Sequence, residues 1–261
     1  MGKERVRYTL SIMLPVITLG SAVVSTYAVM LAFGLMAASS VTLVIARRQG
    51  APFTPTIDVL LAAMLGGVLG ARLLYVAIDW AYFTDHLDEA WQFWRGGLAW
   101  HGGLIGGAIG VGLLARWRLR QSALIWLERL APGVALGAAF GWLGCWLSAC
   151  AVGREVFPGD AWFCLAVDAP DAHGLWAPRW PAQWFGAAWS ALVFLALGRI
   201  RASRAAWFLV LYSAGAWLIG QSRADVPDIA PMLHAALGIT GLLMMAVWRR
   251  SSFPREIAHV D

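Results

Sequence analysis

Apolar residues fall into seven long runs, at roughly 25–46, 59–78, 101–115, 130–149, 182–197, 206–220 and 231–248. Short polar stretches divide them. About 20 apolar residues span a bilayer as a helix. The pattern therefore predicts an all-α, polytopic membrane protein, with 1–261 forming a single integral-membrane domain of seven transmembrane helices. Residues 8–24 are apolar too, but Pro15 and Gly20 interrupt them and Lys3, Arg5 and Arg7 precede them. That piece reads either as a signal-like segment entering from inside or as a re-entrant or interfacial piece on the outer surface. No loop parts it from the first run, which favours an outer piece over 1–24.

Composition agrees with this reading. The chain is 60% hydrophobic and 13% charged, against about 45–50% and about 25% in soluble domains. Its 16 tryptophans lie largely near run ends, where indoles anchor at the membrane–water interface. The basic balance does not indicate nucleic acid, because no basic stripe with interleaved aromatics is present. The arginines instead alternate by loop. Leaving aside Arg129 at the start of the fourth run, eleven lie after the first, third, fifth and seventh runs, including Arg47, Arg48, Arg116, Arg118, Arg120 and Arg255, and four lie after the others: Arg95, Arg154, Arg179 and Arg223. Positive charge marks the cytoplasmic side. The N-terminus is then outside, the C-terminus cytoplasmic, and residues 79–100 and 150–181 form outer loops.

Several polar groups stand out against this background. Trp100-His101-Gly102-Gly103 puts an imidazole at the mouth of the third run. His101 reads as a base working near neutral pH or as an interfacial histidine bonded to a backbone carbonyl. Arg72, inside the second run, reads as a phosphate or carboxylate receptor or as half of a structural ion pair. Glu128-Arg129 reads as a helix-end pair opening the fourth run, and Tyr27 as an interfacial tyrosine. Glycines repeat every fourth residue at Gly102, Gly106 and Gly110 and at Gly133, Gly137 and Gly141, a spacing that lets helix backbones approach closely. Cys145, Cys150 and Cys164 allow one pair and a leftover and require neither. No metal-ligand spacing is present, and no cofactor is expected.

These residues resemble the prolipoprotein diacylglyceryl transferase family of bacterial inner-membrane enzymes. His101-Gly102-Gly103-Leu104-Ile105-Gly106 reproduces that family's His-Gly-Gly-Leu-Ile-Gly motif. Gly70-Ala71-Arg72-Leu73-Leu74-Tyr75, Pro15-Val16-Ile17 with Tyr27, Pro181-Ala182-Gln183, and Ala131-Pro132 before Gly141, Gly144, Gly153 and Arg154 are similar to further family elements. The departures are concentrated at charges. Trp142 stands at a signature arginine, Cys145 and Ser148 at asparagines, Cys150 and Gly186 at glutamates, and Ala216 and Gly220 at an arginine–glutamate pair of the sixth span.

The resemblance implies transfer of diacylglyceryl from phosphatidylglycerol to the cysteine thiol of a preprolipoprotein, at the outer face of the bacterial inner membrane. It implies catalytic roles for His101 and Tyr27. It implies headgroup binding by Arg72, Gly102, Gly103, Gly144, Gly153, Arg154 and Arg223. Two alternatives stay open. One is a related lipid or acyl transferase using Cys145 or Cys150 as nucleophile, although free cysteine is also a common small buried hydrophobe. The other is a non-catalytic lipid-binding member of the fold.

Overall fold

A computed structural model describes residues 16–19, 22–160, 162–171 and 174–250. The expectations placed on Lys3, Arg5, Arg7, residues 8–15, Gly20 and Arg255 lie outside the described residues. The chain is mostly helical and falls into two compact units. Among the described residues, one holds 16–38 with 132–250 and the other holds Ser39–Ala131.

A short antiparallel hairpin comes first, β1 (Val16–Leu19) with β2 (Ala22–Ser25), in the register Val16 to Ser25. The piece before the first span is thus a hairpin over these residues. The helix α1 (Thr26–Arg48) follows directly and ends on Arg47 and Arg48, two cations that favour the negative end of a helix dipole. α2 (Phe53–Ile78) follows, with the Thr56 hydroxyl donating to the Pro52 carbonyl at 2.8 Å. A short α3 (Trp80–Phe83) and two single 3₁₀ turns lead to α4 (Trp100–Leu114).

α4 passes into a π-helical turn, Ala115–Leu119. α5 (Ala123–Leu147) starts earlier than its apolar run suggests. Glu128 and Arg129 therefore lie inside the helix and do not open it, a correction to the helix-end reading; Arg129 Nε reaches Gln49 Oε1 at 2.8 Å. Pro132 lies within α5 and cannot donate to the carbonyl four residues back. After α5 come a second hairpin, β3 (Val167–Pro170) with β4 (Trp176–Arg179), and then α6 (Ala182–Arg199), α7 (Arg204–Gly220) and α8 (Ala230–Arg250).

Among the described residues, four helices are long and apolar enough to cross a membrane: α1, α2, α5 and the part of α8 at Ala230–Trp248. α7 is apolar but shorter. Their surfaces suit lipid. On α2, Leu61, Leu65, Leu69 and Leu73 are 52%, 67%, 64% and 70% exposed and recur every four residues, which places them on one face. An apolar stripe of that length is disfavoured in water and at home in hydrocarbon.

A neighbouring face of α2 is lined by glycine. Gly66 and Gly70 face Gly102, Gly106 and Gly110 of α4. A Cβ on Gly106 would lie 2.7 Å from the Gly70 Cα and would run into the Gly66 carbonyl. Lipid tails are as apolar as leucine, so helices associate in a bilayer through close packing and hydrogen bonds. In the other unit, α1 meets α5 in the same way, and a Cβ on Gly34 would lie 3.0 Å from the Gly137 carbonyl oxygen.

Gly106→Ala should cost about 1–3 kcal/mol, the usual penalty for forcing bulk into a packed contact. Gly112→Ala, where a Cβ meets nothing within 4 Å, should be neutral or stabilising. Unfolding midpoints in mixed micelles check both. Equal midpoints for the two variants would contradict a backbone-to-backbone seam.

Candidate functional site

Arg72 lies near the end of α2 and is 9% exposed. Its guanidinium is wrapped by the loop that follows. Nε donates to Ala90 O at 2.8 Å, Nη1 to Gly96 O at 2.8 Å and Gly97 O at 3.1 Å, and Nη2 to Glu89 O at 2.5 Å. Its carbon sits 5.6 Å from the Tyr75 ring and 5.4 Å from the Phe83 ring, which themselves meet edge to face, so two rings share the cation. Gly96 and Gly97 have φ of 92° and 68°, and a Cβ on Gly97 would meet Arg72 Nη1 at 2.7 Å. Only glycine suits both demands.

Four of the five guanidinium N–H groups are thereby engaged by backbone carbonyls. These bonds make Arg72 a clasp on the loop at 89–97 and not half of an ion pair, which corrects that alternative, and they leave one N–H of the guanidinium for a receptor role. Tyr82 of α3 holds the start of that loop, donating to Glu89 Oε2 at 2.9 Å. That carboxylate holds the phenol above its ordinary pKa.

His101 is the second residue of α4 and is 9% exposed. Its helix start is fixed by Ala99 N donating to Ala71 O at 3.0 Å. A Cβ on Gly102 would run into the Gly70 carbonyl, whereas one on Gly103 would find only ordinary contacts with Ala71 and Gly67. Gly102 and Gly103 therefore belong to the α2–α4 seam. Arg72, His101, Gly102 and Gly103 lie together in this unit.

The remaining expected residues lie in the other unit. Residues 152–156 form a strap. Gly153 pairs with Arg223 in an antiparallel bridge. Arg154 N donates to Ser222 O at 2.9 Å, and Ala224 N donates to Val152 O at 2.8 Å. A Cβ on Gly153 would run into the Trp180 carbonyl, so Gly153 is the residue that lets the strap lie flat. Arg154 is exposed, and its Nε donates to Arg223 O at 3.1 Å. Its terminal nitrogens have no partner among the described residues. Arg223 pairs with Asp225, through both Nε and Nη2 at 2.9 Å. Tyr27, in the first turn of α1, packs against Gly144, where a Cβ would meet its ring at 3.1 Å.

Cys145 and Cys150 form a disulfide, with Cα atoms 4.6 Å apart. In this form neither carries the thiol that a nucleophile needs, which corrects that reading; Cys164 is free and exposed. The bridge closes the turn leaving α5, where Ala149 and Ala151 are left-handed at φ 54° and 55°. Gln183, 3% exposed at the start of α6, donates to Cys150 O at 2.9 Å and holds the turn in place.

Some of the neighbourhood was not foreseen from sequence. The Trp142 indole lies where a Cβ on Gly186 would have to go. The Arg223 carbon stands 5.8 Å from the Trp142 ring. Trp189 repeats the arrangement against Gly215 and donates to Leu211 O at 3.0 Å. His234, on α8, lies in the field of Arg223. An ionisable residue inside an apolar run was the available signal for it.

Comparison with known proteins decides the family. The family model for prolipoprotein diacylglyceryl transferase matches residues 15–249. The chain belongs to that family. It is 29% identical to the phosphatidylglycerol–prolipoprotein diacylglyceryl transferase of Streptococcus uberis over 246 residues, covering 87% of this chain and 93% of that protein. It is 29% identical to that of Streptococcus agalactiae over 252 residues, covering 90% and 95%. The enzyme of Streptococcus mutans is 26% identical over the same shares.

Gly186→Ala should destabilise the protein by about 1–3 kcal/mol through its clash with Trp142. Combined with Trp142→Leu, the loss should be smaller than the sum of the two single losses by at least about 0.5 kcal/mol. A double-mutant cycle on unfolding midpoints measures this. Strict additivity would mean that the two positions are not coupled.

Proposed function

We propose that the chain is a phosphatidylglycerol–prolipoprotein diacylglyceryl transferase of the bacterial cytoplasmic membrane. The observation that carries the reading is the family match over 15–249 together with an intact His-Gly-Gly motif whose histidine is nine-tenths buried in the first turn of α4. The donor is phosphatidylglycerol, and the acceptor is the cysteine thiol of a preprolipoprotein.

The reaction forms a carbon–sulfur bond and breaks the bond from the same diacylglyceryl carbon to a phosphate oxygen. Glycerol phosphate leaves with the bonding electrons. A thiol of pKa about 8.5 is only a few per cent ionised near pH 7, so a base helps. His101 takes that proton. Charge gathers on the departing phosphate, and preorganised cations stabilise it. Arg154 offers its terminal nitrogens, and Arg223 can exchange Asp225 for phosphate. Tyr27 lines the first turn of α1 against Gly144.

Seven spans with the N-terminus outside accompany this reading: α1, α2, α4 with its π turn, α5, α6, α7 and α8. The alternation of arginines supports that orientation. The Cys145–Cys150 disulfide supports it as well, since disulfides persist on the oxidising side of the membrane.

A non-catalytic, lipid-binding member of the fold is the second reading. Trp142 over Gly186 favours it, because shape complementarity there occupies positions where the family signature has charges.

Cells depleted of their own transferase separate the two. The wild-type chain should restore lipoprotein maturation. Arg154→Gln should lower the rate roughly 100- to 1,000-fold, the usual effect of removing one well-aimed donor. His101→Ala should abolish restoration. No maturation from a well-expressed wild-type chain would sink the transferase reading. Full activity in His101→Ala would remove His101 as the base.

A further inference from the structure

The far end of α4 holds a second cluster of charge that the transferase reading does not use. α4 passes into the π turn Ala115–Leu119, and the chain leaves through Arg120 in the left-handed region, at φ 50°. π turns are rare and occur often at functional sites. A non-glycine residue held left-handed is strained and persists only where its surroundings impose it. The consequence is geometric. Arg116 and Arg120, four residues apart, line one open cleft of about 470 Å³ with Trp117 and Gln121.

The cleft is charged and not neutralised. Of the three arginines in the turn, Arg118 pairs with Asp58 at 3.3 Å. The side chains of Arg116 and Arg120 have no ion pair or hydrogen bond among the described residues. Gln121 is fixed, since its Oε1 accepts from the Trp126 indole at 3.0 Å. Trp117 is 74% exposed, as expected of an indole at headgroup depth. α5 begins two residues beyond Gln121, and its first turn adds the positive end of a helix dipole.

The location excludes the donor site. The fifteen residues of α4 rise roughly 22 Å at 1.5 Å each. That distance parts His101 at one end of the helix from Arg116 beyond the other, so the two lie toward opposite faces of a bilayer core about 30 Å thick.

We propose that this cleft binds the phosphodiester of an anionic phospholipid at the membrane face opposite His101. Guanidinium groups suit phosphate oxygens because their forked donors make paired hydrogen bonds. A basic cleft in the turn joining α4 and α5, with an interfacial indole at its rim, suits a lipid headgroup rather than a soluble anion. The proposal does not depend on turnover, and its test measures binding alone.

The test uses the full-length chain in neutral detergent, with bound lipids counted by native mass spectrometry. Phosphatidylglycerol and phosphatidylcholine are offered in turn, to the wild type and to R116Q/R120Q. The wild type should retain one more phosphatidylglycerol than the double variant does. Affinity for that lipid should fall roughly 10- to 30-fold, as expected from two basic side chains near the surface. R118Q, whose arginine is already paired, should stay within about twofold of wild type. If the double variant does not fold, R116Q and R120Q singly should each weaken binding about 3- to 10-fold. Equal phosphatidylglycerol occupancy in wild type and variants would overturn the site. So would equal retention of phosphatidylcholine, or displacement of the lipid by millimolar inorganic phosphate.

Discussion

Gly66 and Gly70 of α2 meet Gly102, Gly106 and Gly110 of α4 backbone against backbone, with no room for a single methyl between them. In lipid there is no water to expel, so this fit supplies most of the force holding the pair. The rest of that unit depends on it. Because Gly102 rests on the Gly70 carbonyl, the first turn of α4 can begin only where it does, and His101 is buried as a result. Because α2 is held there, Arg72 reaches the returning loop and finds four carbonyls. A guanidinium at membrane depth is costly unless its donors are satisfied. Here they are satisfied by backbone, without an acid. That arrangement keeps the loop closed whatever the state of nearby carboxylates.

The other unit reaches the same end by opposing large to small. Trp142 fills the space above Gly186, and Trp189 fills the space above Gly215. Where the family signature has charged and amide side chains, this chain has an indole, a glycine and a disulfide. A buried ion pair and a well-packed apolar contact can be of similar stability, because the pair must first be desolvated. The exchange therefore preserves the fold while removing local charge. It also adds a contact to what remains: the Trp142 ring is 5.8 Å from the Arg223 carbon, so a face of negative potential steadies the cation beside its bond to Asp225.

Hydrophobic patterning located the helices well. α4, α6 and α7 lie within about two residues of their apolar runs, since apolar length and flanking arginine are local signals. The misplaced start of α5 at Ala123 has a physical reason: Glu128 and Arg129 look like a boundary, yet helical propensity carries through them and Arg129 finds Gln49. The clasp at Arg72 was not legible, because its acceptors are backbone carbonyls that leave no mark in side-chain chemistry. The Gly96-Gly97 doublet was the one visible hint. The disulfide was equally hidden, since three cysteines admit three pairings. The Trp142–Gly186 fit requires knowing that α5 and α6 are neighbours at that height. A site built from shape leaves a weaker trace than one built from charge.

Charge accounting across the proposed outer face narrows where chemistry can draw its electrostatic help. Arg95 is paired with Glu89 at 3.1 Å, and Arg179 with Glu155 and Asp171 at 2.8 and 3.4 Å. Arg72 is held by carbonyls, and Arg223 by Asp225. Arg154 alone of these five keeps both terminal nitrogens without a partner among the described residues, and its backbone is pinned by Ser222 and Trp180. A donor on a fixed backbone spends little reorganisation when charge develops, which is what makes it effective. Arg223 must first release Asp225, a half-exposed carboxylate that water will solvate at modest cost. In the proposed reaction phosphate, with more charge and more acceptors, displaces that carboxylate. On that proposal the two arginines play unequal parts: Arg154 is ready before the ligand arrives, and Arg223 is recruited by it.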